Sequence, residues 1–159
     1  YLKTLLGDSD KMAEYVVSDL SPNEILDFMN KIKFFSDNNE YSNLRKIISI
    51  TSIRKLSTVL AVYSVRNELL GIGIFIYSAY SVDLLLVAVR NDDERIAGII
   101  IDSFIKKNSA KTLTLNFDCN FSESAQKLYP EFGANQFYYT KLFFKKFPRI
   151  FKFLSKKNN

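Results

Sequence analysis

The chain contains no histidine and a single cysteine, Cys119, among its 159 residues. Without histidine there is no Ser-His-Asp or Cys-His catalysis and no His-ligated zinc, and a lone cysteine excludes an internal disulfide framework. Glycine (5 residues) and proline (3) are scarce, which excludes collagen-like and low-complexity architectures. No apolar run approaches the roughly 20 residues that cross a bilayer as a helix. Nothing in the first residues reads as a cleavable signal, and an opening Tyr1 suits a trimmed fragment; a reducing, cytoplasmic setting is the expectation. Apolar residues, by contrast, are plentiful. They make up 47% of the chain, with 14 Phe and 9 Tyr, enough for the core of one domain at this length.

The formal charge of +5 is not spread over the chain. Seven of the 22 basic residues (Lys141, Lys145, Lys146, Arg149, Lys152, Lys156 and Lys157) fall in the last 19 positions, which hold no acid. The first 140 residues carry 15 basic and 17 acidic side chains and are slightly negative. A nucleic-acid-binding domain more often spreads its basic stripe over the folded face, so nucleic acid is not the expected partner.

Residues 14–20 have the β-branched and aromatic content of a short strand. Ser21-Pro22-Asn23-Glu24 then reads as a capping box with proline at the first helical position. The helix it opens is expected to bury Ile25, Phe28, Met29, Ile32 and Phe35 and to end at Asp37-Asn38-Asn39. A shorter second helix fits Tyr41–Ile50. Strands are expected over Leu56–Val65, Leu69–Tyr77 and Val82–Val89, the first two joined by a turn at Arg66-Asn67-Glu68. The Val82–Val89 run is apolar enough to be covered on both faces. Arg95–Lys107 reads as an amphipathic helix with Ile96, Ile99, Ile100, Phe104 and Ile105 inward and Asp102 and Lys106 outward. Thr112–Asp118 alternates as a strand, Ser122–Phe132 is a helix stopped at Gly133, and Gln136–Phe144 is a last strand. With no repeat and no linker, the order is β-α-α-β-β-β-α-β-α-β, one α/β domain with a mixed sheet.

That order, with two motifs in it, resembles the GCN5-related N-acetyltransferase family. The family opens the helix after its fourth strand with Gln/Arg-x-x-Gly-x-Gly/Ala, and here the segment is Arg95, Ile96, Ala97, Gly98, Ile99, Ile100. Downstream the family writes Asn-x-x-Ala-x-x-Leu-Tyr-x-x-x-Gly-Phe, and Ala125, Leu128, Tyr129 and Gly133 fall in register. The resemblance spans residues 14–144 and implies an acyl-CoA N-acyltransferase fold. It makes residues 1–146 one domain, with 1–12 as an N-terminal extension. It further implies acetyl-CoA as cosubstrate, no metal, and an amine-bearing acceptor. Coenzyme contacts then fall on Val87, Ala88, Val89, Arg95, Ile96, Ala97, Gly98, Ile99, Ser122 and Ala125. A glycine near a helix N-terminus lets a phosphate approach free amides and the positive end of the dipole. Tyr129 is implied as the general acid for the departing thiolate, a role its ordinary pKa near 10 suits.

Four departures accompany the resemblance. Ile100 stands where Gly or Ala is usual, and Ser122 replaces the usual Asn. Asp92, Asp93 and Glu94 place three carboxylates beside a site for a dianion. The segment after Gly133 has room for about one strand where the family runs two, so the acceptor pocket is either open or completed by the tail or by a second chain in a homodimer.

Each site residue has a plainer reading. Arg95 and Gly98 also suit an exposed helix start with a glycine at a tight helix–strand contact, and Tyr129 suits packing on the sheet. Asp83, on a strand face shared with Leu85 and Val87, and Asp118, beside Asn116, are candidates for the general base, and either is equally a solvated strand-end carboxylate. Cys119 lacks an activating base. Residues 147–159 form a basic amphipathic helix with Phe147, Ile150, Phe151 and Leu154 on one side, suited to packing on the domain, to a membrane surface, or to an acidic partner. Two further functions stay open beside acetyl transfer: a catalytically degenerate binding or regulatory module, and a membrane- or partner-associated accessory protein acting through the tail.

Overall fold

A computed structural model describes residues 16–18, 20–35, 37–117 and 128–137. Five strands, β1 (Val16–Ser18), β2 (Ser57–Tyr63), β3 (Leu69–Tyr77), β4 (Ser81–Val89) and β5 (Thr114–Asn116), form one sheet in sequence order. All neighbours are antiparallel except β4 and β5, which are parallel. The helices are α1 (Pro22–Lys31), α2 (Asn38–Ile53) and α3 (Glu94–Lys107).

The local signals act as their chemistry dictates. Ser21 accepts from the Glu24 amide while Glu24 Oε2 accepts from the Ser21 amide at 2.9 Å, closing the capping box at the head of α1. The Ser64–Glu68 turn closes through the Asn67 amide on the Ser64 carbonyl at 2.9 Å, with Asn67 in the left-handed region at φ 60°. α1 ends at Lys31, earlier than its periodicity suggests, because Ile32 caps it and Lys33 turns left-handed at φ 55°. Asp37 does not end a helix. It begins one, accepting the Glu40 amide at 2.7 Å as the N-cap of α2, which runs well past the expected Tyr41–Ile50.

The sheet has two covered faces. On one, α1 and α2 lay Ile25, Leu26, Phe28, Met29, Leu44 and Ile48 over Val59, Ala61, Ile72, Ile74, Leu86 and Ala88. On the other, α3 packs over Leu60, Val62, Phe75, Val82, Leu84 and Val87. Ile96, Ala97, Ile100, Ile101 and Phe104 face inward, and the Phe104 ring stacks on Phe75 at 3.8 Å. Ile105, expected inside, is 37% exposed, while Ile101 is fully buried. The buried stripe of α3 follows positions 96, 97, 100, 101 and 104, and Ile105 falls at its edge.

Two glycines set the approach of α3. A Cβ on Gly71 would stand 2.7 Å from the Ile96 Cγ2 and 2.8 Å from a Val89 methyl, and one on Gly73 would collide with Ile100. Ile100 therefore fills space that Gly73 leaves open.

β4 does not alternate simply. Ile74 pairs with Leu86 but Phe75 pairs with Leu84, so Leu85 is an inserted, bulged residue. Val82 and Leu84 face α3 before the bulge, and Val87 faces α3 after it. The expectation that Asp83, Leu85 and Val87 share a face fails for Val87, because one extra residue reverses the strand's parity. β5 keeps Leu113, Leu115 and Phe117 toward α3, as the alternation predicts, although its ladder is shorter than Thr112–Asp118.

A 3₁₀ turn replaces the last part of the expected Ser122–Phe132 helix. It spans Tyr129–Phe132; inside the expected helix Pro130 would remove a backbone donor and clash with the preceding turn, whereas in the first turn of the 3₁₀ segment it is tolerated. Gly133 stops it at φ 74°. Residues 136 and 137, the start of the expected last strand, carry no regular structure, and the rest of that strand and the 147–159 helix lie outside the described residues.

Candidate functional site where β4 and β5 part

The pairing of β4 with β5 runs from Ser81–Thr114 to Asp83–Asn116, and among the described residues it stops there. β4 continues through the bulge at Leu85 to Val89. Among the described residues, the C-terminal half of β4 is thus paired with β3 on one side and with no strand on the other. Bulges re-aim side chains or end strand pairing, and they are over-represented at sheet edges and beside active sites.

At the end of β4 the chain turns through Asn91 and Asp92, both left-handed (φ 58° and 51°), and enters α3. Val87 and Ala88 are buried, and Val89 is half-buried. In the first turns of α3, Ile96 and Ala97 point into the core, Ile99 is half-buried and Arg95 is exposed. Gly98 is buried as a residue, yet a Cβ on it would meet nothing within 4 Å. A side-chain-free hollow therefore lies against the α3 backbone one turn from its start.

The anion-binding potential of that helix start is already engaged. Asp93 is the N-cap, its Oδ1 accepting the Arg95 amide at 3.0 Å and the Arg95 Nε at 3.1 Å, with Nη2 on Oδ2 at 2.8 Å. The Ile96 and Ala97 amides donate to the Asp93 carbonyl. The Arg95 guanidinium beside Asp93 holds its carboxyl below the ordinary value, against the opposing effect of burial. Sequence reasoning counted Asp93 as a repulsive charge and missed it as a cap, although an aspartate just before Glu94 and an apolar-periodic run is a helix-start signal.

Asp83 lies in the last described β4–β5 pair, and its Oδ1 accepts from the Asn116 Nδ2 at 2.7 Å. Asn116 is a partner the sequence did not single out; only the parallel register brings it there. Leu115 and Phe117, its neighbours, pack toward α3, so Asp83 and Asn116 face the α1–α2 side. Tyr129 packs with the α3-side cluster, its ring stacked on Phe117 at 4.3 Å and its hydroxyl oxygen buried. The two residues thus stand on opposite faces of the sheet. Asp118, Cys119, Ser122 and Ala125 lie outside the described residues. A recess of about 530 Å³ at the α1–α2 turn is lined by Asn30, Lys33, Phe35, Asp37, Asn38 and Tyr41. Among the described residues no three His, Cys, Asp or Glu side chains gather as a metal site, and no helix is long and apolar enough to cross a membrane.

No family model matches the chain, and no curated protein matches it by sequence. Solved structures do match by fold. The crystal structure of a probable acetyltransferase superposes with a TM-score of 0.58 at 16% identity, covering 85% of this chain and 98% of that one. An acetyltransferase of Trypanosoma brucei gives 0.57 at 9% identity, with coverages of 82% and 99%. The aminoglycoside 6'-N-acetyltransferase of Acinetobacter baumannii gives 0.56 at 10% identity, with coverages of 85% and 100%. The chain therefore has the acetyltransferase fold of the GCN5-related type.

Proposed function

We propose that the chain is an acetyl-CoA-dependent N-acetyltransferase that passes the acyl group directly to an amine held in the same complex. The observation that carries this reading is the edge of β4 from Leu84 to Val89, which no described strand pairs, with the side-chain-free Gly98 in the helix that follows it. A strand edge of this kind suits an extended, amide-bearing ligand such as a pantetheine arm, which can pair with it as an added strand. The strand half of the site fits that ligand as it stands. The helix half fits a pyrophosphate once Asp93 yields the Arg95 amide to it.

When bound, acetyl-CoA supplies an activated thioester. The protein's part is then to bind, orient and move protons. Backbone groups at Val87, Ala88 and Val89 hold the arm and aim an amide at the developing oxyanion, the device that stabilises acyl-transfer transition states. Gly98 and the start of α3, Arg95–Ile99, face the phosphates, and Ser122 and Ala125 complete the proposed set of coenzyme contacts. Tyr129 donates its proton to the departing thiolate, which must enter the pocket where its hydroxyl is buried. Asp83 or Asp118 takes the proton from the amine. Direct transfer suits a chain without histidine, whose one cysteine has no imidazole to activate it.

A second reading has a specific observation behind it: Asp93 already occupies the Arg95 amide, the second of α3, as a carboxylate, which suits a binding or regulatory module that has lost turnover. Calorimetric titration with acetyl-CoA, followed by thiol release over a panel of amines, separates the two. Binding with turnover on any amine supports the transferase. Binding without turnover supports the module, and no binding removes both.

A further inference from the structure

The sheet topology gathers several segments at the end opposite the β4–α3 junction. β2 begins there, β3 ends there, and β4 and β5 begin there, as the pairs Ser57–Ile76, Tyr77–Val82 and Ser81–Thr114 require. α2 delivers the chain to β2 at this end, and α3 returns from the far end of β4 to reach it. Backbone bonds join the parts: Tyr77 N donates to Leu56 O at 2.8 Å and Thr114 N to Tyr80 O at 3.4 Å. The exit of α2 is a closed hook, with Lys55 left-handed at φ 54° and Leu56 N returning to Thr51 O at 2.8 Å.

This base exposes the wrong residues for contact with water alone. Ile53 is 82% exposed, Tyr80 86%, Ile50 53% and Leu56 41%. Around them stand exposed Arg54, Lys55, Lys106, Lys107 and Lys111. From Tyr41 to Asn67 the sequence has no acid. Two carboxylates stand on the strands and helix that meet here, Asp83, bonded to the neutral Asn116, and Asp102, paired with Lys106, against the five cations. The opposite end carries Glu68, Asp92, Asp93 and Glu94 together with Arg66, Arg90 and Arg95, and two of those carboxylates are ion-paired, Glu68 with Arg90 and Asp93 with Arg95; the excess of positive charge lies at the base.

We propose that this base docks on an anionic phospholipid surface, leaving the C-terminal end of β4 toward solution. Cations at the ends of α2 and α3 would complement the helix dipoles in any protein. That does not account for Ile53 and Tyr80 standing proud between them. Isoleucine gains nothing from a polar nucleic-acid groove, whereas the boundary between headgroups and acyl chains takes aliphatic and tyrosine side chains. Lysine and arginine around such an anchor are drawn to anionic lipid, and the far end, where Arg90 and Arg95 pair with Glu68 and Asp93, has no comparable excess of positive charge.

The test is co-sedimentation of the full chain with vesicles of phosphatidylcholine alone and with added phosphatidylserine. Two variants accompany it, Ile53→Ser/Tyr80→Ser and Arg54→Glu/Lys55→Glu, all at exposed positions and each checked by its melting curve. The chain should bind only the phosphatidylserine vesicles and less so in high salt. Each variant should weaken that binding by about tenfold or more, given the attraction each basic side chain feels near such a surface. Failure to bind, or binding that both variants keep and that only removal of residues 147–159 abolishes, overturns the proposal. Loss in the charge variant alone, or loss of single-stranded RNA binding with vesicle binding intact, also overturns it and points to an acidic polymer.

Discussion

Asp93 holds Arg95 twice, capping its backbone amide at 3.0 Å and chelating its guanidinium at 3.1 and 2.8 Å. One carboxylate thus occupies both the amide and the cation that a phosphate at the start of α3 would use.

Replacing Asp93 with Asn keeps a competent cap and removes the charge. Acetyl-CoA affinity should rise by about fivefold, matching the ~1 kcal/mol between unit charges about 4 Å apart in water. The gain should shrink as salt is raised. Calorimetry at two salt concentrations measures it. An unchanged dissociation constant would show that Asp93 stays clear of the ligand.

Gly98 and Gly73 should respond in opposite directions to the same methyl group. Gly98→Ala meets open space inside a helix and should stabilise the fold by about 0.5–1 kcal/mol. Gly73→Ala drives into Ile100 and should cost about 1–3 kcal/mol. Chemical denaturation reads both. Gly98→Glu should fold normally yet lose acetyl-CoA binding, because its carboxylate fills the hollow; retained binding would move the ligand elsewhere.

Tyr129→Phe keeps the stack on Phe117 and removes only the hydroxyl. Turnover should fall by about ten- to a thousandfold with little change in coenzyme affinity, the range of general-acid contributions. A loss of melting temperature with turnover per folded molecule unchanged would assign the tyrosine to packing.

Glu24 and Asp93 both titrate below the ordinary carboxylate value in the fold, Glu24 through its bonds with Ser21 and Asp93 through Arg95. The unfolded chain therefore takes up protons first as pH falls. The stability these groups contribute is present above their unfolded values and disappears as pH drops through the folded ones. Melting temperatures between about pH 6 and pH 3 should decline less steeply in Arg95→Met than in the parent, the two converging at the acid end. Parallel curves would show that the Asp93–Arg95 pair contributes nothing to folding.

Elements whose signals are local were legible in the sequence. The Ser21–Glu24 box, the Asn67 turn and the Gly133 stop follow from residues acting on their own backbone. Long periodic runs gave β3, β4 and α3 nearly to the residue. What escaped depends on partners far along the chain. The Leu85 bulge appears only when β4 is set against β3, and it decides the face that Val87 takes. The Asp83–Asn116 bond needs the parallel register. Ile101 and Ile105 exchange places because the stripe that α3 buries is chosen by the glycines beneath it. Near Arg95 the start of α3 was readable from the sequence, while the capture of Arg95 by Asp93 depends on how the chain turns through Asn91 and Asp92.

Gly71 and Gly73 have a consequence for how this chain can drift. Each is half of a lock whose other half, Ile96 or Ile100, sits on α3. A larger residue on β3 is tolerable only beside a smaller one on the helix, so each pair varies as a single character. Relatives that share the pocket but not these glycines should carry alanine or valine at the positions of Ile96 and Ile100. Where neither half has been trimmed, the first turn of α3 rides outward, and the cleft changes width without the loss of any residue that lines it.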